Sequence, residues 1–296
     1  MDPTSSHAQR HAWIGAAAVL ASLFSQSIGA SFAKQLFPVV GAMGMTALRI
    51  TLAAGLLLIV RRPWRTGVRR EHLGAVLRYG GMLGLMNLLI YQAFARIPLG
   101  IAVAIEVLGP MAVVLAGTRR ALDLIWLLFA AIGLALLIPF DFQASGLDPI
   151  GVLFAMGAAV SWALYIVFGK RLSAAAEVDG VSWGMIVATV VTVPFGVADA
   201  GAALLAPSVL MMGLIIAALS SALPYSVEMF ALRRLPAHVF GILVSASPAV
   251  AALAGFAILG ERLTSLHWIG ICLITVAMGG STACLNLRRA PVSAAS

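Results

Sequence analysis

Charge is what this chain has least of. Only 10% of its 296 residues are Asp, Glu, Lys or Arg, while 61% are hydrophobic. Soluble globular chains carry about 25% charged and about 45–50% apolar residues. That composition excludes a soluble globular fold and leaves an integral membrane protein. Acidic residues are scarcer than basic ones, 11 against 19. The net charge of +8 does not mark a nucleic-acid partner, because the basic residues fall in short clusters between apolar runs, the pattern of the positive-inside rule. Cysteine is nearly absent. Cys272 and Cys284 stand 12 residues apart in the last apolar run, roughly 18 Å along one helix. They are too distant to bridge within it and read as small core residues.

Other absences narrow the chemistry. Gly169-Lys170 has no glycine five residues before Gly169 and no Ser or Thr after the lysine. It is not a phosphate loop, so ATP is not the direct driver. There is no His-Glu-x-x-His or Gly-x-Ser-x-Gly motif, and no aspartate at the centre of an apolar run. The histidines lie near run ends, apart from any cluster with metal-ligand spacing. No metal, cofactor or catalytic residue is expected. A membrane enzyme or a structural membrane protein is the rival class, and the enzyme lacks any nucleophile, base or metal set. A channel lacks a ring of charges or a carbonyl filter.

What the chain does have is ten apolar runs near the length of about 20 residues that crosses a bilayer. They cover 12–33, 39–60, 73–95, 98–117, 122–140, 149–169, 181–199, 208–232, 237–259 and 266–286. The first follows Arg10 and His11 and ends in small residues near Ala30, which mimics a secretory leader. Its length, and its counterpart later in the chain, assign it to the fold instead. The residues after Arg289 read as an irregular tail.

Basic residues set the orientation. With a cytoplasmic N-terminus, one side holds Arg10, Arg61, Arg62, Arg65, Arg69, Arg70, Arg78, Arg119, Arg120, Lys170, Arg171, Arg233, Arg234, Arg288 and Arg289. The other holds Lys34, Arg96 and Arg262, beside Asp141, Asp148 and Asp199. This asymmetry puts both termini in the cytoplasm.

The chain also repeats itself. Ser25–Leu36 reads SQSIGASFAKQL and Ser161–Leu172 reads SWALYIVFGKRL, with Ser, Phe, Lys and Leu matching at an offset of 136. Pro98 and Pro110 match Pro236 and Pro248 at an offset of 138. The expected fold is all-α: ten transmembrane helices in two five-helix repeats. Because five is odd, the second copy runs upside down, the plan of many transporters with a site near the midplane. The boundaries are a cytoplasmic segment 1–11, a first repeat 12–140, an outer linker 141–148, a second repeat 149–286 and a cytoplasmic tail 287–296.

Three charges lie inside apolar runs: Arg49, Glu106 and Glu228. A charge at bilayer depth costs about 2.5–3.5 kcal/mol on insertion scales. Arg49 and Glu106 sit at similar depth and admit two readings: a structural ion pair, or a site that receives the two ends of a zwitterionic solute, with Glu106 able to carry a proton. Glu228 is nearer the cytoplasmic end and either snorkels toward Arg233 and Arg234 or joins the site with Tyr225, beside the kink at Pro224. Asn87 and Tyr91 share one helical face. With Trp162 they either bridge helices or touch a solute. Pro110, Pro224 and Pro248 are the expected helix breaks. Gly80 and Gly84 fit close packing inside the fold, with a homodimer face as the alternative. Trp13, Trp64 and Trp268 read as interface anchors.

These residues resemble a known family. Phe37-Pro38, Gly41, Thr46-Ala47-Leu48-Arg49, Pro98 to Glu106, Gly109-Pro110, Ser221-Ala222-Leu223-Pro224-Tyr225-Ser226, Glu228-Met229 and Leu259-Gly260-Glu261 are similar to the EamA-type branch of the drug/metabolite transporter superfamily. Within it, the chain is most like the inner-membrane exporters of threonine and homoserine. The resemblance implies a multi-pass protein of the cytoplasmic membrane that exports small amino acids or related metabolites by alternating access, with protons as a candidate coupling partner. Export of drugs or other metabolites on the same fold is the alternative. Related chains often carry a glutamate just before the proline of the ninth helix, where this chain has Ser247. The protonatable groups left are Glu106 and Glu228.

Overall fold

The computed structural model describes residues 3–65, 67–116, 123–138, 147–173, 179–232, 235 and 237–287. The tail after Arg289 and most of the 141–148 linker lie outside them. Every regular element among the described residues is helical. In an apolar solvent a helix satisfies its backbone groups from within its own segment. In chain order the α-helices are α1 (Pro3–Gln35), α2 (Phe37–Arg61), α3 (Arg70–Phe94), α4 (Leu99–Glu106), α5 (Leu108–Ala116), α6 (Asp123–Leu137) and α7 (Pro149–Ser173). There follow α8 (Gly180–Ala200), α9 (Pro207–Ala217), α10 (Leu223–Leu232), α11 (Ala237–Val244), α12 (Ser247–Ala254) and α13 (Ser265–Leu287). π-helical segments Ala218–Ala222 and Gly255–Leu259 join α9 to α10 and extend α12.

Eight helical stretches among the described residues are long and apolar enough to cross a membrane, counting α4 with α5 and α11 with α12 as one each. Leu124–Leu137 and Pro207–Ser221 are apolar but shorter. Seven of the expected apolar runs thus hold one helix each among the described residues, while 98–117, 208–232 and 237–259 are each broken into two.

Local chemistry explains the ends and kinks. Asp179 caps α8, accepting from the Ser182 backbone N–H at 3.3 Å and its hydroxyl at 2.7 Å. Arg61 reaches the same carboxylate at 3.1 Å and ties α2 to α8. Near the start of α2, Gly41 takes φ 67°, and a Cβ there would stand 1.9 Å from Asp199 Oδ2. That oxygen accepts the Met43 N–H at 3.2 Å. Only glycine meets both demands without strain.

The break after Glu106 falls at Val107 rather than at Gly109-Pro110. Pro110 sits in the first turn of α5, where a missing N–H costs little. It leaves the Glu106 carbonyl without its usual donor four residues on. α11 and α12 repeat the arrangement, with a turn at Ser245 and Ala246 and Pro248 in the first turn of α12.

α3 lies along α7 and α8, α2 along α8, α6 along α13, and α1 along α10, α11 and α12. α4 crosses α12, and both α4 and α5 rest on α7. Leu99, Ile101, Ala102, Ala104, Ile105 and Val107 have no exposed surface, which makes α4 the centre of the core. Gly80 and Gly84 pack on α8: a Cβ on Gly80 would meet the Gly184 carbonyl at 2.6 Å. Leu153, Val190 and Phe256 stand exposed on the bundle's outside, as lipid-facing side chains do.

Candidate functional site

Arg49 lies midway along α2, and the fold gathers partners for it from two other elements. Its Nη2 donates to Asn87 Oδ1 on α3. Its Nη1 donates to Ser221 Oγ, in the π segment before α10, at 3.3 Å. The guanidinium carbon stands 4.8 Å from the centre of the Tyr91 ring, one helical turn from Asn87. Asn87 is held in turn by its own amide, which donates to the Leu83 carbonyl at 2.8 Å.

Magnitudes decide whether this can hold a cation at depth. Hydrogen bonds to charged groups contribute about 1.5–3 kcal/mol each. A desolvated ring face adds about 2 kcal/mol. Together they offset the insertion cost of about 2.5–3.5 kcal/mol. The guanidinium is nevertheless not saturated. It has five N–H donors, and its buried Nε has no partner among the described residues.

Glu106 closes α4 at the helix break and is 8% exposed. It lies within electrostatic range of both Arg49 and Tyr91, yet the ion pairs among the described residues do not include Arg49 with Glu106. The guanidinium is instead held by neutral groups. Among the described residues, a cation with a spare donor and a carboxylate without a salt bridge therefore share one region of the core. That arrangement can receive an ammonium and a carboxylate carried by one small molecule.

The other sequence candidates separate. Trp162 is half-buried against the same core as Tyr91 and Ile105. Pro224 is buried in the first turn of α10, directly after the π segment. The side chains of Tyr225 and Glu228 lie outside the described residues. Ser247 Oγ, at the break between α11 and α12, is buried without a hydrogen-bond partner among the described residues. Ser221 was legible only as part of a polar stretch near Pro224. No group of His, Cys, Asp or Glu that could hold a metal ion occurs among the described residues.

An apolar helical bundle with a half-satisfied cation and a buried carboxylate at broken helices has the features of a solute transporter. Comparison with known proteins agrees. Residues 149–282 match the EamA-like transporter family. The chain is 44% identical over 279 residues to "Threonine/homoserine exporter RhtA" of Salmonella typhimurium (strain SL1344), covering 94% of each chain. It is 43% identical over 270 residues to the protein of that description from Escherichia coli (strain K12), covering 91% of this chain and 92% of that one. A solved structure described as "Crystal structure of protein" superposes with a TM-score of 0.57 at 21% identity, over 95% of this chain and 99% of that chain, and so shares the fold. The chain belongs to the EamA-like transporter family.

Proposed function

We propose that this protein is a secondary active exporter of threonine, homoserine or similar small amino acids, working in the cytoplasmic membrane by alternating access. The observation that carries the reading is the guanidinium of Arg49, held by Asn87, Ser221 and Tyr91 with its Nε donor unfilled among the described residues, near the buried Glu106. Arg49 takes the substrate carboxylate, since a planar fork of donors suits that group. Glu106 takes the ammonium, and takes a proton when the substrate is absent. The identity of 43–44% to exporters of threonine and homoserine supports the substrate class.

The transport reading includes two inverted five-helix halves, ten crossings and both termini in the cytoplasm. Support comes from packing that survives exchange of the halves. α3 on α7 becomes α10 on α1, and α4 with α5 on α7 becomes α11 with α12 on α1. The pairs α2 with α8 and α6 with α13 exchange into themselves. α4 and α11 are each eight residues long and begin 138 residues apart. The pocket residues then lie where the halves meet, and rocking of one half on the other exposes them to each side in turn.

Counterflow in proteoliposomes tests this. Vesicles loaded with unlabelled threonine should accumulate labelled threonine or homoserine from outside, and Arg49→Gln should abolish the accumulation while the protein stays monodisperse. Full counterflow by Arg49→Gln would remove the assigned site.

A further inference from the structure

A second charged cluster lies at the bundle end where α1 finishes and α4 begins. Lys34 Nζ, in the last turn of α1, stands 2.8 Å from Glu261 Oε1 and donates to the Ile97 carbonyl at 3.0 Å. Glu261 Oε2 accepts the Leu99 N–H, the first of α4, at 2.8 Å. The two side chains are 21% and 12% exposed. Three segments distant in sequence are thus tied by one ion pair and its two backbone partners.

The seat of Glu261 is shaped by backbone. The π segment Gly255–Leu259 and the left-handed Gly260, φ 67°, fold the chain back. Glu261 N–H then donates to the Gly255 carbonyl at 3.1 Å. A Cβ on Gly255 would stand 2.3 Å from Glu261 Oε2, so the carboxylate occupies the room left by that glycine. Salt screens a pair in this position weakly. Parting it strands two charges unless water reaches them.

α4 connects this cluster to the pocket. It is eight residues long, with Leu99 at its start and Glu106 at its end. Such a rod is roughly 10 Å long and too short to bend between its ends. A shift at Glu106 is therefore felt at Leu99.

We propose that Lys34 and Glu261 form a latch that holds the outer end of the transport path shut, and that α4 links this latch to the pocket. The inference rests on the transport function and orientation proposed above. Release of solute to the outside requires the pair to part, and occupancy of Glu106 changes the position of the α4 terminus that Glu261 caps. The latch is one-sided. Lys170, the counterpart of Lys34 in the sequence repeat, is exposed and takes no part in the ion pairs among the described residues. The pair favours the arrangement in which α1, the start of α4 and Glu261 are joined.

Cysteine labelling tests the latch without a substrate. In a Cys272→Ala/Cys284→Ala background, Ala102→Cys places a thiol at a position of α4 with no exposed surface. A membrane-impermeant maleimide added to spheroplasts should label it slowly. Glu261→Gln or Lys34→Met should speed labelling by about tenfold, the shift expected when a partly buried pair is lost. Should Glu261→Gln fold poorly, Lys34→Met decides, since it keeps the Glu261 cap on α4. Unchanged labelling in Lys34→Met, in protein that melts like the parent, overturns the latch. A Lys34→Cys/Glu261→Cys protein joined by a short bis-methanethiosulfonate linker should lose threonine exchange and regain it on reduction. Exchange that continues while linked also overturns it. Fast labelling of the variants in a protein that exchanges no threonine would keep the latch and sink the substrate reading instead.

Discussion

Gly100 on α4 lies directly against Ala252 on α12: a Cβ built on Gly100 would stand 2.4 Å from the Ala252 Cβ and 2.6 Å from its Cα. These are the two short half-helices that meet at the centre of the bundle, and their approach is limited by backbone. Gly109 on α5 lies as close to α7, where a Cβ would stand 2.0 Å from the Ala159 carbonyl oxygen.

Gly100→Ala should therefore separate α4 from α12. Inserting one methyl into a packed core costs about 1–3 kcal/mol. The thermal midpoint of the detergent-solubilised protein should fall, and labelled-threonine counterflow should fall with it. Parent-like melting and counterflow would show that the crossing has slack.

Asn87→Leu removes the acceptor of Arg49 Nη2 and leaves a second guanidinium nitrogen short of its partner. Stranding a buried polar group costs about 1–3 kcal/mol, more for a charged one. We expect lower stability and little counterflow. Because Asn87 also bonds the Leu83 carbonyl, Asn87→Gln is the control. It keeps the amide but displaces it, and should recover stability more than transport. Wild-type transport in Asn87→Leu would mean that Arg49 needs no holder.

Glu106→Gln separates exchange from proton coupling. If a proton enters as an amino acid leaves, vesicles loaded with labelled threonine should empty faster when the outside is more acidic than the inside. The substitution should abolish that acceleration. Exchange of threonine against threonine, with no pH gradient, should persist at a reduced rate. A gradient response retained by Glu106→Gln would place the coupling on another carboxylate, Glu228 first.

Asp148 gives a pH effect outside the spans. Its carboxylate accepts the Ile150 N–H at 2.8 Å and meets Arg96 at 3.1 Å. The backbone N–H first, and then Arg96, hold its pKa below the ordinary value. For a depressed carboxylate the stabilisation is complete above its unfolded pKa of about 3.9 and fades as pH falls through the lower folded value. Asp148→Asn should melt slightly below the parent at neutral pH, by no more than the about 1 kcal/mol typical of exposed pairs. The gap should narrow as the pH is lowered below about 4. A gap that does not change with pH would assign the loss to packing.

Much of this was legible in one dimension. The apolar runs returned as helix among the described residues, three of them broken into two pieces, because lipid leaves the backbone no other partner. Pro110 and Pro248 marked real interruptions, although the chain turns a few residues before each proline. A first-turn proline terminates the preceding helix by withholding its N–H, so the visible break comes earlier than the residue that causes it. Gly80 and Gly84 were open between a packing face and a dimer face. Their contacts with Gly184 and Ala188 put them inside the fold.

The partners of the buried charges were less legible. Composition and depth picked out Arg49 and Glu106 and left them open between an ion pair and a solute site; the structure gives the guanidinium to Asn87, Ser221 and the face of Tyr91. Lys34 counted as a charge at one end of α1 and a match in the repeat, and Glu261 only as part of a short motif, until folding set them 2.8 Å apart across 227 positions of sequence.

The sequence by itself determined that the chain enters a membrane, where its helices lie, and which polar groups must find company there, since hydropathy and backbone satisfaction are local properties. Tertiary structure alone decided which groups meet. Partner choice depends on how each helix is rotated and where it crosses its neighbours, and packing at residues such as Gly100, Gly109 and Gly255 sets those angles only when the whole bundle has assembled.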